Sequence, residues 1–158
     1  MRLEYFLLID RVVSLDLAAG TICCEATVPA ESPIFEGHFP GYPLMPGVLL
    51  IETMAQTGGW LLVAANKFQR MPFLAAVKEA KLRTFVQPGA RLTAEAKITH
   101  DGSGYAMTDA SISCDGNLIC NAAITFRVTE FPNPDFATEM RRRAAAIGLP
   151  SNEALVNG

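Results

Sequence analysis

Apolar and polar positions alternate in some stretches of the chain and run together in others, and the changes mark its elements. From Thr21 to Val28 the pattern alternates, with Ile22, Cys24, Ala26 and Val28 on one side and Thr21, Cys23, Glu25 and Thr27 on the other. That is the mark of a half-buried strand. Between Pro29 and Pro46 five prolines, with Gly37 and Gly41, interrupt any period. Each proline removes a donor and restricts its neighbour, so a loop without regular structure is predicted there. Pro46-Gly47 closes it, and a helix follows from about Gly47 to about Lys67, ~30 Å long at ~1.5 Å per residue. Its apolar residues, among them Val48, Leu50, Ile51, Met54, Trp60 and Val63, lie nearly all round it. Such a rod has to be enclosed.

The remaining sequence supplies the enclosure. Phe73 to Val86 reads as a strand region ended by Gln87-Pro88-Gly89. Arg91 to Thr99 alternates cleanly, His100 to Gly104 is a turn, Tyr105 to Cys114 alternates again, and Asp115-Gly116 is a hairpin signal. Leu118, Cys120, Ala122, Ile124, Phe126 and Val128 are expected to line one face of the last strand. Three long strands joined by tight turns make an antiparallel meander. Many of the inward residues are alanine, so the sheet can approach a helix closely. The fold class that follows is α+β, one long central helix wrapped by a curved antiparallel sheet.

The two ends read differently. Residues 3 to 9 suit a short helix or strand. After Phe131 the composition shifts: Asn133 is placed to cap a helix with Pro134 at its first position, Arg141 to Arg143 come late, and Gly148 and Pro150 stop it. Phe136, Met140 and Ile147 share a face, which predicts weak docking on the body, and Ser151 to Gly158 is expected to fray. The division is a main domain over 1–131 and a helical tail extension over 132–158.

Composition removes several classes. At 158 residues and half hydrophobic, the chain fits one domain with a sizeable core. A net charge of -3 and the lack of a Gly-rich phosphate loop argue against nucleic-acid binding. Cys23, Cys24, Cys114 and Cys120 form no CxxC pair, and with two histidines no metal site is expected. Free thiols in a reducing compartment are the reading, with Cys24, Cys114 and Cys120 on apolar strand faces. No signal peptide opens the chain, and a cytoplasmic location is expected. Val48 to Ala65 is nearly long enough to span a bilayer, but Glu52 and Gln56 interrupt it and Pro and Gly precede it, so it reads as a core helix.

Candidate chemistry concentrates in one stretch, Glu36 to Gln56. His38 stands in the proline-rich loop and Glu52 in the apolar helix. Imidazole is largely neutral yet basic near pH 7. A carboxyl group donates a proton near neutrality only when apolar surroundings hold the proton on it, which the greasy rod is expected to provide. Gln56 is one helical turn beyond Glu52, on the same face and within reach of it. Gly47, at the helix N-terminus, offers unpaired N–H groups and the helix dipole to a developing negative charge.

The run Gly37-His-Phe-Pro-Gly41, then Pro46-Gly-Val and Glu52-Thr-Met-Ala-Gln56, resembles the β-hydroxyacyl-acyl-carrier-protein dehydratases of the FabZ type over roughly residues 1 to 130. The resemblance implies the hot-dog fold. It makes His38 the base that takes the C2 proton of a (3R)-3-hydroxyacyl thioester, and Glu52 the acid that releases the 3-hydroxyl as water. It also makes Gly47 the backbone donor to the thioester carbonyl and Gln56 the group that orients the carboxyl. It implies no cofactor, the phosphopantetheine belonging to the acyl carrier protein that brings the substrate. The partners implied are that carrier and a second copy of the chain, in a homodimer with sites at the interface or in a larger assembly such as a trimer of dimers. Lys78, Lys81 and Arg83, with Lys67, Arg70 and the Arg141 to Arg143 run, are the candidate docking cations for the acidic carrier.

Two rival activities and one inactive class stand beside this. FabA-type isomerising enzymes place Asp where this chain has Glu52. Hot-dog thioesterases lack the Gly-His-Phe-Pro-Gly loop. A non-catalytic acyl-binding or scaffold subunit would not need both ionisable groups. The opening Arg2-Leu-Glu-Tyr-Phe and the Arg-rich tail are similar to a FabZ-like subgroup with specialised, including very-long-chain, hydroxy-acid pathways.

Overall fold

The computed structural model describes residues 1–150. After a 3-10 turn at Leu3–Tyr5 the elements run β1 Arg11–Asp16, β2 Thr21–Thr27, α1 Pro33–Gly37, α2 Gly47–Ala65 and β3 Met71–Leu82. They continue with β4 Arg91–Gly102, β5 Tyr105–Cys114, β6 Asn117–Thr129 and α3 Pro134–Ala146. All six strands form one antiparallel sheet in the order β1-β2-β4-β5-β6-β3, so β1 and β3 are its edges. The long helix α2 lies against β2, β3, β4, β5 and β6. The α+β architecture read from the sequence is the one formed.

The meander β4-β5-β6 is held by two tight hairpins. Ser103 and Gly104 have φ of 57° and 80°, and Asp115 and Gly116 have 49° and 77°. Two consecutive residues at positive φ are what a two-residue turn matching strand twist requires. The turn is shorter than the 100–104 expected, because β4 runs on to Gly102 past a bulge between Ile98 and His100. A second register shift, beside Ile112 and Ser113, changes the phase of β6 at its start. Leu118 is therefore exposed and Ile119 buried, the reverse of the alternation expected at that end.

Other departures have equally local causes. The loop from Pro29 to Pro46 is not wholly irregular: Ser32 Oγ accepts from the Ile34 N–H at 3.2 Å and Pro33 takes the first helical position, which starts the short α1. β1 has no counterpart among the predicted elements, since Arg11, Ser14 and Asp16 surround its half-buried Val12 and Leu15. β3 ends at Leu82, not Val86; the Val86 carbonyl instead accepts from Met45 N–H at 2.8 Å and ties the chain to the start of α2.

The core is one continuous cluster on the inner face of the sheet, which takes in Met54 and Leu61 of α2 with Leu92, Ile112, Ile124 and Phe126. α2 is long and apolar enough to cross a membrane, but 67% of its most apolar window is buried in the body, as in a core helix. Enclosure is nonetheless incomplete, contrary to the all-round apolar pattern. Glu52, Gln56 and Gly59 are half-buried and Val48 is exposed. The sheet covers one side of the rod and leaves this stripe for other partners.

Closest approach between helix and sheet falls at Gly58. A Cβ there would lie 2.6 Å from Thr108 Oγ1 and 3.3 Å from Phe126 Cζ. Gly58→Ala is therefore expected to destabilise the fold by about 1–3 kcal/mol through overpacking. A thermal melt checks this; an unchanged Tm would mean the sheet yields at that point.

α3 forms as the sequence predicts at its start, with Asn133 Oδ1 accepting from Phe136 N–H at 2.8 Å ahead of Pro134. Its docking is firmer than expected. Ala137, Ala144 and Leu149 are buried, and the Ile147 carbonyl accepts from Val12 N–H at 2.7 Å. The expected fraying of Ser151 to Gly158 concerns residues outside those described.

Candidate active site

The proline-rich loop holds His38 by its backbone before its ring does anything. His38 closes α1, its N–H donating to the Ile34 carbonyl (3.1 Å), and its own carbonyl accepts from Leu44 N–H (2.9 Å). Between them Phe39 and Tyr42 exchange both main-chain hydrogen bonds, at 3.1 and 2.9 Å. The imidazole Nδ1 then lies 2.8 Å from the Leu44 carbonyl oxygen, and the ring stacks on Phe39 with centroids 4.1 Å apart. A carbonyl only accepts, so Nδ1 carries the proton and Nε2 of the neutral ring is left with a free lone pair. The Leu44 carbonyl is a tautomer-fixing partner that nothing in the sequence pattern marks.

α2 begins without a side-chain cap, because Pro46 occupies the capping position. Pro46 O accepts from Leu49 and Leu50 N–H at 2.9 and 3.4 Å. Among the described residues the Gly47 and Val48 N–H groups have no acceptor. They stand at the positive end of a 19-residue helix, a position suited to negative charge. Gly47 also sits tight against the end of β3: a Cβ there would meet Leu82 Cδ1 at 2.6 Å.

Glu52 is one turn before Gln56, and Gln56 Nε2 donates to Glu52 Oε1 at 3.0 Å. The same amide donates to the Phe6 carbonyl at 2.8 Å, while its oxygen accepts from Leu8 N–H at 3.4 Å. Gln56 thus ties the carboxylate to the N-terminal segment, a link across half the domain that spacing alone does not show. Burial of Glu52 is only partial. It opens into a cavity of about 560 Å³ whose wall on the helix side is Glu52, Ala55, Gln56, Gly59, Trp60 and Val63. Those positions are the i, i+3, i+4 ladder of one helix face, so the stripe is readable in the sequence once the open side is known.

His38 does not line that cavity, so the chain does not bring the imidazole and the carboxylate into one pocket. Lys78 and Lys81 are exposed on β3, and Arg83 just beyond it bonds to Asn121 Oδ1. Lys67, Arg70, Tyr42 and His100 are exposed as well, and Tyr42 is not in the cavity wall. All four cysteines are free; burial pushes the Cys24 thiol up to about 12 and that of Cys120 to about 11, which leaves both unreactive. Among the described residues no group of three or more His, Cys, Asp or Glu converges.

The family model described as a FabA-like domain matches residues 2–123. The chain belongs to the FabA-like family. A 3-hydroxyacyl-[acyl-carrier-protein] dehydratase FabZ of Listeria monocytogenes is 36% identical over 129 residues, covering 80% of this chain and 88% of its relative. One from Fusobacterium nucleatum is 34% identical over 125 residues, with 79% and 88% covered. A bifunctional enzyme LpxC/FabZ of Chlorobaculum tepidum is 38% identical over 130 residues, 81% of this chain but only 28% of that protein. Among solved structures, a hypothetical protein of Staphylococcus aureus superposes with a TM-score of 0.61 at 19% identity, over 82% of this FabA-like chain and 98% of the other. A hypothetical thioesterase of Streptococcus pneumoniae, solved with coenzyme A, gives 0.60 at 17% identity over 78% and 88%. At that identity the two structures establish the hot-dog fold and nothing about chemistry.

Proposed function

We propose that this FabA-like chain dehydrates 3-hydroxyacyl groups carried on acyl carrier protein to trans-2-enoyl groups, in fatty acid biosynthesis. The observation that carries the reading is that one chain carries two suited groups: an imidazole whose Nε2 is left free by the Leu44 carbonyl, and the one carboxylate of α2, which opens into a largely apolar cavity. His38 Nε2 takes a proton from C2 as the thioester carbonyl accepts negative charge. The Gly47 N–H is placed to stabilise that oxygen, and Gln56 orients Glu52. Glu52 gives its proton to the 3-hydroxyl, the C3–O bond breaks, water leaves and the C2=C3 bond forms. Proton transfer from the His38 imidazolium back to the Glu52 carboxylate restores both groups. Atoms and electrons balance without a cofactor.

The site on this reading is shared by two copies of the chain. β3 is an edge strand of 12 residues with Phe73, Leu74 and Val77 exposed, and Phe85 and Val48 nearby are 79% and 72% exposed. An unpaired apolar edge of that length needs covering, and a second β3 covers it. His38 of one subunit then meets Glu52 of the other, which fits their separation within a single chain. The cationic stretch Lys78, Lys81 and Arg83 is what we assign to the acidic carrier. Four free thiols fit a reducing cytoplasm.

Incubating the protein with 3-hydroxyacyl-carrier protein, with enoyl product and free thiol measured together, tests the reaction. Enoyl product without free thiol is expected. Free thiol without enoyl product would make the protein a thioesterase, and no turnover would make it an acyl-binding subunit.

A further inference from the structure

The family match ends at residue 123, yet the cavity beside Glu52 is closed by residues beyond it. Met140, Arg143, Ala146 and Ile147 of α3 and its C-terminal boundary line the same cavity as the α2 stripe. α3 is fastened at both ends and stands over the cavity between. At its start, Phe136 packs on Phe73 and Phe131 with ring centroids 6.2 and 6.3 Å apart. At its finish, the Ile147 carbonyl is bound by Val12 N–H and Leu149 is buried.

The helix also has a definite place along the cavity. Phe73, under Phe136, follows Pro72, whose Cγ lies 4.0 Å from where a Cβ on Gly59 would be. α3 therefore begins over the Gly59 to Val63 end of the stripe, away from Glu52. From Glu52 to Val63 the helix rises about 16 Å at ~1.5 Å per residue. An extended acyl chain covers that distance with roughly a dozen carbons, at ~1.25 Å of advance for standard bond lengths and angles.

The wall at that end is mainly apolar. Arg142 and Arg143 also line the cavity, but both are engaged by Glu139, at 2.7 and 2.8 Å for Arg142 and 2.8 Å for Arg143. The side chains left to meet the end of a substrate are thioether, alkyl and aromatic groups, among them Met140, Val63, Trp60 and Phe73, suited to an unsubstituted aliphatic chain.

We infer that α3 sets the acyl-chain length this protein accepts, with Met140, one turn after Phe136, as the specificity-determining side chain toward the far end of the pocket. The inference rests on the dehydratase reading and adds to it a device outside the part of the chain that the family match covers. A chain short of Gly59 does not reach the Phe136 to Met140 turn of α3. A longer one must fit beneath that turn, and added bulk at Met140 shortens the space available.

The test uses the full-length protein with 3-hydroxybutyryl-carrier protein and 3-hydroxyhexadecanoyl-carrier protein, and the readout is the ratio of the two kcat/KM values. Met140→Trp should lower the long-to-short ratio at least tenfold, mainly through the KM of the long substrate. Met140→Ala adds no bulk, tests the idea even where tryptophan disrupts folding, and should raise the ratio. Thr138→Trp, an exposed position of α3 outside the cavity wall, should leave it within about twofold. Enoyl formation by all variants with an unmoved ratio would overturn the inference and leave the dehydratase reading standing. No enoyl product from wild type with either substrate would overturn both.

Discussion

His38→Ala should lower enoyl formation by about 10²–10⁴-fold, the range for loss of one general base. At ~1.36 kcal/mol per tenfold, that corresponds to about 2.7–5.4 kcal/mol of transition-state stabilisation. The fold should survive. The loop around His38 is held by main-chain bonds from His38 N–H to Ile34, from Leu44 N–H to His38 and from Met45 N–H to Val86, none of which needs the imidazole. The loss should therefore appear in kcat with little change in Tm. A variant that kept wild-type turnover would remove His38 from the mechanism.

Glu52→Gln is expected to cost a similar factor for a different reason. The amide is nearly isosteric, and its oxygen can still accept the Gln56 Nε2–H that now reaches Glu52 Oε1 at 3.0 Å. The link from Gln56 to Phe6 and Leu8 is untouched. What disappears is the acidic proton, so departure of the 3-hydroxyl slows by about 10²–10⁴-fold with binding preserved. A rise in KM with unchanged kcat would instead mark Glu52 as a binding group.

Local features of this molecule were legible in the sequence, and those that depend on distant contacts were not. Alternation found β2, β4 and β5, and Asp115-Gly116 found its hairpin, because period and turn chemistry act over a few residues. The Glu52 to Gln56 contact followed from one helical turn. Bulges beside Ile98 and Ile112 shifted phase without leaving a mark in composition, so Leu118 was placed on the wrong side. The sheet order, with β3 pairing to β6, depends on which non-neighbouring strands meet. The same limit hid the open face of α2: an apolar rod does not announce which side its sheet will cover, and the burial expected for Glu52 came out as partial. The resemblance carried in Gly37 to Gly41 and Glu52 to Gln56 anticipated the family, while the position of α3 over the cavity depends on contacts with Phe73 and Val12 that no spacing shows.

The claim that His38 and Glu52 act together, one from each of two subunits, is tested by mixing. His38→Ala and Glu52→Gln proteins, each nearly inactive alone, are denatured together in equal amounts, refolded and assayed for enoyl product. A mixed dimer holds one site with both mutations and one with neither. With random pairing of the two kinds of chain, recovery to about a quarter of wild-type activity is the predicted outcome. Activity that stays at the level of the separate variants, in a sample shown to contain mixed dimers, would contradict the shared site.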